Sequence, residues 1–183
     1  MADARRLLAA AASGYLLGSL PFAVWIGRRH GVDPRVAGER NPGATNVWRL
    51  AGWRAGLPVL ALDQGKGAAA AFLGRRWAGW WGAAGATLAA MAGHAWPWWS
   101  RLHRGGRSAS VLVGAAPVLA PRAAILAAAA ALVALPVGGV HRAAGAALLT
   151  YPAFAAVGLR DRRRLLGIGA CYLVLLVRNH PGR

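Results

Sequence analysis

The sequence predicts an all-α fold: a polytopic membrane helical bundle of about seven transmembrane helices, in a single domain over residues 1–183. Three observations predict it. The chain is 57% hydrophobic and only 15% charged, and its mean hydropathy of +0.39 is too apolar for an ordinary water-soluble domain of this size. The apolar residues come in long runs, several near the roughly 20 residues a helix needs to cross a bilayer. The charge is confined to the gaps: 22 basic residues face five acids, a formal net charge of +17, and the arginines cluster between runs instead of lining one helix face. That clustering excludes nucleic acid as the partner. It fits loops that touch anionic headgroups, with membrane lipids as the surroundings.

Each segment follows from this pattern. Residues 7–26 come after Arg5 and Arg6, as a secretory leader would, but run on without a small-residue cleavage site and read as a first span. Pro21 is expected to kink it. Residues 27–54 are a polar, arginine-rich loop. Residues 57–73 form a second apolar segment, interrupted by Asp63, Gln64 and Lys66 and bounded by Arg75 and Arg76. Residues 77–99 form a third, closed by Trp96, Trp98 and Trp99, which suit a headgroup interface.

Residues 101–110 are a second basic loop. Residues 111–140, broken by Pro117, Pro121 and Arg122, are too long for one span and short for two, so they read as a tight helical hairpin. Residues 143–159 and 165–177 complete six or seven helices, with RDRRR between them and Arg178 placed to snorkel to the interface. With seven spans, both basic loops and the C-terminus share one side. The pairs Gly14/Gly18 and Gly52/Gly56 permit close helix contact. The lone Cys171 excludes an internal disulfide or a cysteine metal cluster.

The chemistry is constrained by what is missing. Asp3, Asp33, Glu39, Asp63 and Asp161 are scattered, and no P-loop, nucleophile elbow or H-x-x-x-x-D signature is present. Catalysis would therefore work through positioning and positive charge, without a metal or a catalytic triad. The stretch GERNPGATNVWRLAGWR, residues 38–54, has the parts. Gly38 and Gly43 permit backbone nests that expose N–H groups to an anion. Asn41 and Asn46 can donate amide hydrogens, Arg49 offers a planar fork for phosphate, and Thr45 or Asn46 could cap the helix into the second span.

Lys66 is the chain's sole lysine and sits in an apolar segment, three residues after Asp63. The two share a helix face, and ionisable groups at membrane depth are functional candidates. The second loop, GHAWPWWSRLHRGGRSAS, sets Gly105 and Gly106 between Arg104 and Arg107, so backbone donors and two guanidinium groups converge. His94 opens it as a candidate proton acceptor.

Three blocks in this order resemble the bacterial acyl-phosphate-dependent glycerol-3-phosphate acyltransferases. GSLPFAVWIGRRHGVDPRVAGERNPGATNVWRLAG is similar to their GSxP…GxDxRxxGSGNxGATNxxRxxG, DQGKGAAAA to their D-x-x-K-G block, and GHAWPWWSRLHRGGRSAS to their GHxxPxxxxFKGGKGVAT. The resemblance implies an integral membrane enzyme of about seven helices, its motif loops cytoplasmic, that uses no metal and no organic cofactor. It implies transfer of a fatty acyl group from fatty acyl phosphate to the 1-position of glycerol 3-phosphate, giving lysophosphatidic acid and phosphate in phospholipid synthesis. On that reading Lys66, His94 and Asn46 are catalytic, and Asn41, Gly43, Thr45, Arg49, Arg104, Gly105, Gly106 and Arg107 bind substrate. Glu39-Arg40 stands where the family has Ser-Gly, with Arg40 as the expected counter-charge to Glu39, and Ser108 stands for a glycine. The alternative is a weak or inactive homologue that binds or moves phospholipid headgroups.

Overall fold

The computed structural model of the protein describes residues 3–100, 105–159 and 161–179, and every described element is helical. The first apolar run is two helices, α1 (Ala4–Gly18) and α2 (Phe22–Arg29). Pro21 breaks it outright: Pro21 lies outside the helix at the head of α2, and its carbonyl accepts from Val24 and Trp25. Leu20 is stranded between two hydrogen-bond ladders, leaving its carbonyl open to a side chain.

The polar loop contains a short helix, α3 (Ala44–Ala51), which turns at Gly52 into α4 (Trp53–Ala95). Two expected spans are merged in α4, and Ala78 and Gly79 part them with non-helical backbone. Gly79 takes φ +64°, a left-handed value open to glycine at little cost. The arms fold back on each other, with Gly74 against the Gly82 carbonyl and Gly82 against that of Gly74. The second arm ends at Ala95, not Trp99, because Pro97 drives Trp96 out of helical geometry. A short 3-10 turn follows at Trp98–Ser100.

The proline-interrupted region is a hairpin as expected. Helix α5 (Ala109–Leu119) stops at Ala120, and α6 (Pro121–Gly158) starts on Pro121, where the missing N–H costs nothing. The expected break between the next two segments is a kink at Gly139 inside α6. Helix α7 (Arg163–Asn179) is the last of the described elements. With its 11 residues, α5 rises only about 16 Å, roughly half the bilayer's hydrocarbon thickness. Among the described residues one helical segment, Ala4–Arg29, is long and apolar enough to cross a membrane by length and composition.

Small residues set the packing around α4. Gly14 and Gly18 of α1 lie against the backbone of Ala86 and Ala90, so any side chain there would collide. On the other side, Gly67 meets Val111 and Gly114 meets Gln64, bringing α5 onto the first arm. The core is correspondingly rich in alanine, with Trp80, Tyr151, Met91, Leu112, Leu119 and Ile168 among its larger members. Buried aromatic polar atoms find backbone partners: Trp80 Nε1 donates to the Leu119 carbonyl at 2.9 Å and Tyr151 Oη to that of Ala116 at 3.2 Å.

Candidate active site

The tight α1–α4–α5 contacts bring three distant segments to one end of the bundle. Lys66 and Asp63, one turn apart on the first arm of α4, form an ion pair of 2.9 Å. His94 arrives from the end of the second arm, its Nδ1 2.6 Å from Lys66 Nζ. The stranded Leu20 carbonyl accepts a further hydrogen bond from Lys66 at 3.2 Å, and the Phe22 ring centroid lies 5.8 Å from the ammonium. The Lys66 and Asp63 side chains are 2% and 1% exposed. Burial of a charged pair is sustained only by such close compensation.

The nitrogen of His94 that meets Lys66 is Nδ1. Its Nε2 edge faces Gly106, where a Cβ would collide with it. A cavity of about 20 Å³, lined by Asp63, His94, Gly105 and Gly106 together with the Ser19–Pro21 break, lies beside the cluster.

The first loop is organised by Asn46. This side chain is 1% exposed. Its amide nitrogen donates to the carbonyls of Pro34, Ala37 and Asn41, each at 3.1 Å, while Oδ1 accepts from Glu39 N–H at 3.0 Å. The expected donor to phosphate is therefore occupied in folding the loop. Neither Thr45 nor Asn46 caps α3; the cap position is Gly43, without a side-chain bond. The Gly43 N–H is also taken, by the Asn41 carbonyl at 2.9 Å, so it does not form an open nest. Asn41 Oδ1 is buried without a partner, and Thr45 is exposed on the first turn of α3.

Upstream in the same loop, Asp33 accepts from Arg35, with Nη2 at 2.6 Å, and pairs with Arg28 at 3.4 Å. The Arg35 hydrogen bond is the main cause that holds the Asp33 carboxyl well below the usual carboxylate range, against the opposing effect of burial.

Arg49 and Arg107 come together through an acid. One Glu39 carboxylate oxygen pairs with Arg49 and the other with Arg107 Nη1, the latter at 3.1 Å. The expected counter-charge, Arg40, is not the one used. Arg40 instead adopts φ +53°, and Ser108 φ +64°; they are the two non-glycine residues with positive φ among those described. Both stand where the resembling motifs carry glycine, so the backbone has kept the left-handed shape without the residue suited to it.

The second loop is pinned from two sides. Gly106 N–H donates to the His94 carbonyl at 2.9 Å. Arg178, expected to snorkel, turns inward and donates to the Gly105 carbonyl at 2.5 Å, while Asn179 donates to that of Arg107 at 3.5 Å. Both loops and the end of α7 thus meet at one end of the bundle, as the segment count required. Arg104 lies outside the described residues.

Sequence reasoning overlooked two contributors, Ser19 and Arg178. Ser19, 2% exposed, donates to the Tyr15 and Gly93 carbonyls and, through its own carbonyl, accepts from Trp99 Nε1 at 2.5 Å. Its signal was present in the GSxP pattern. Among the described residues no three His, Cys, Asp or Glu side chains converge as a metal-binding group.

A family model described as glycerol-3-phosphate acyltransferase matches residues 8–182. The chain belongs to that family. A glycerol-3-phosphate acyltransferase of Anaeromyxobacter dehalogenans strain 2CP-C is 37% identical over 175 residues, covering 90% of the chain and 86% of the relative. Another, from Symbiobacterium thermophilum, is 44% identical over 108 residues, and there the match spans about half of each protein, 59% of the chain and 54% of the relative. Among solved structures the chain is similar to PlsY (YgiH), an integral membrane glycerol 3-phosphate acyltransferase, in its glycerol 3-phosphate form. That likeness has a TM-score of 0.84 at 27% identity, over 96% of the chain and 89% of PlsY. The lysophosphatidic acid form gives 0.82 at 26%.

Proposed function

We propose that the protein transfers a fatty acyl group from an acyl phosphate to the 1-hydroxyl of glycerol 3-phosphate. It does so as a multi-pass membrane protein with both motif loops on the cytoplasmic side. The observation that carries this reading is the convergence of three motif blocks on one point. Lys66 from the second block touches His94 from the third and the Leu20 carbonyl from the first, and the arginines of the first and third blocks share one acid above them. Membership of the family supports the acceptor, and the resemblance of the motifs supports the donor.

In the proposed reaction the 1-hydroxyl oxygen bonds to the acyl carbon, and the bond from that carbon to the phosphate oxygen breaks. The departing phosphate takes the hydroxyl proton, so no protein base is needed. Arg49 and Arg107 hold phosphate through charge-assisted hydrogen bonds. Lys66 and the Nε2–H of His94 stabilise negative charge as it develops, from positions fixed before substrate arrives. Asn46 positions the first loop, and Gly105 and Gly106 let the second approach His94. Asn41 and Thr45 complete the acceptor side.

The test is release of inorganic phosphate and lysophosphatidic acid by the purified chain in detergent, with acyl phosphate as donor. Release that depends on glycerol 3-phosphate is expected. Transfer from an acyl thioester alone would overturn the donor assignment. No transfer from any donor, with headgroup movement across vesicles, would establish the non-catalytic alternative.

A further inference from the structure

Glu39 stands where the similar motifs carry serine, inside a loop read as phosphate-binding, and its surroundings give it a use. Its two carboxylate oxygens are divided between guanidinium groups from different loops, Arg49 ten residues on and Arg107 sixty-eight residues on. A carboxylate so held has the charge and the oxygen spacing of two oxygens of a phosphate. The cluster opens to water: Glu39 is 27% exposed, Arg49 54% and Arg107 52%. The Glu39 backbone is fixed by Asn46 at 3.0 Å, so the carboxylate can leave the arginines by side-chain rotation with the loop in place.

We propose that Glu39 is an internal competitor for the phosphate site. Its carboxylate occupies Arg49 and Arg107 until a phosphate monoester dianion displaces it, and a phosphodiester monoanion does so poorly. The proposal rests on the reading of those two arginines as phosphate ligands.

The physical reason is selectivity. Exposed arginines beside a bilayer would meet phosphodiester headgroups at high local concentration. A tethered carboxylate raises the threshold equally for every anion, and a dianion gains more from two guanidinium groups than a monoanion does.

The experiment measures binding by the purified full chain in nonionic detergent, at a pH above about 7 where a phosphate monoester is mostly dianionic. The probes are glycerol 3-phosphate and the soluble diester glycerophosphoglycerol. Glu39→Gln and Glu39→Ser are each compared with the parent. Both are expected to bind each probe about tenfold or more tighter, by similar factors, so that the diester, held poorly by the parent, becomes measurable. Their thermal stability without ligand should drop while the rise on adding glycerol 3-phosphate grows.

If both variants bind both probes no tighter than the parent, Glu39 is only a latch between loops and the proposal is overturned. Unchanged monoester binding in Arg49→Ala would overturn it too, by removing the phosphate site. A parent that shows no acyl transfer, with the tighter phosphate binding intact in both variants, overturns the proposed reaction and supports this inference.

Discussion

Two charge clusters lie at the same end of the molecule, one sealed and one open. Lys66, Asp63 and His94 sit on α4 within the bundle, with side-chain exposures of 2%, 1% and 7%. Glu39 and Arg107 sit on loops and Arg49 on the last turn of α3, the arginines more than half exposed. Both pair acids with bases, yet their energetics differ in kind. A buried charge has no water to fall back on, so losing a partner leaves an uncompensated ion. An exposed pair contributes little to stability, because water and salt replace either partner readily. The first arrangement suits a preorganised electrostatic environment; the second suits a site whose internal pairing must yield to a ligand. The Gly105–Arg107 stretch joins them, with Gly106 over His94 and Arg107 on Glu39.

The largest expected effect breaks the sealed cluster. Lys66→Ala strands Asp63 in the bundle and should cost about 3–5 kcal/mol of stability, in addition to abolishing transfer. Pairing Lys66→Met with Asp63→Asn removes both charges and should restore most of the stability without restoring activity. Unfolding in detergent and the transfer assay together read this out. Near-normal transfer in the double variant would make the cluster a structural ion pair and leave the reaction to the open one.

A smaller effect sharpens the contrast at the open cluster. Arg40 holds a left-handed backbone that costs a residue with a Cβ about 1 kcal/mol, so Arg40→Gly should stabilise by about that much. Ser108→Gly should not follow suit. Its hydroxyl donates to the Met91 carbonyl at 2.8 Å in a buried site, and losing that bond offsets the relief by about 1 kcal/mol. Equal stabilisation by both substitutions would show that burial does not separate them.

The smallest effect lies at Asp33, whose partners are arginines of the same loop. Its carboxyl titrates lower in the folded chain than in the unfolded one. It therefore contributes stability that is complete above the unfolded value near ~3.9 and lost as pH falls through the folded one. Asp33→Asn should cost under about 1 kcal/mol at neutral pH and flatten that acid limb. Unfolding followed from pH 7 downward checks it, and an unchanged acid limb would show that Asp33 is not its source.

Much of the fold was legible because helix breakers act locally. Pro21, Pro97 and Pro121 stop or start helices where their ring geometry demands, and the alanine-rich runs between them have no other stable state in an apolar setting. The Asp63–Lys66 pair was legible for the same reason, since three residues on a helix are always neighbours. The partners of individual side chains were not legible: Asn46 donates to three carbonyls of its own loop, His94 meets Lys66 through Nδ1, and Arg178 donates to the Gly105 carbonyl of the second loop.

The sequence by itself determined the all-helical build, the positions of the breaks and the three motif blocks, because each depends on residue type and short-range spacing. Only the tertiary structure decided which charges meet. Lys66 reaches His94 across 28 residues and Glu39 reaches Arg107 across 68. Those pairings follow from how closely glycines 14, 18, 67 and 114 allow helices to approach. A pairing of that kind has no period in the sequence, since it is set by the distance between backbones and not by the order of residues along one.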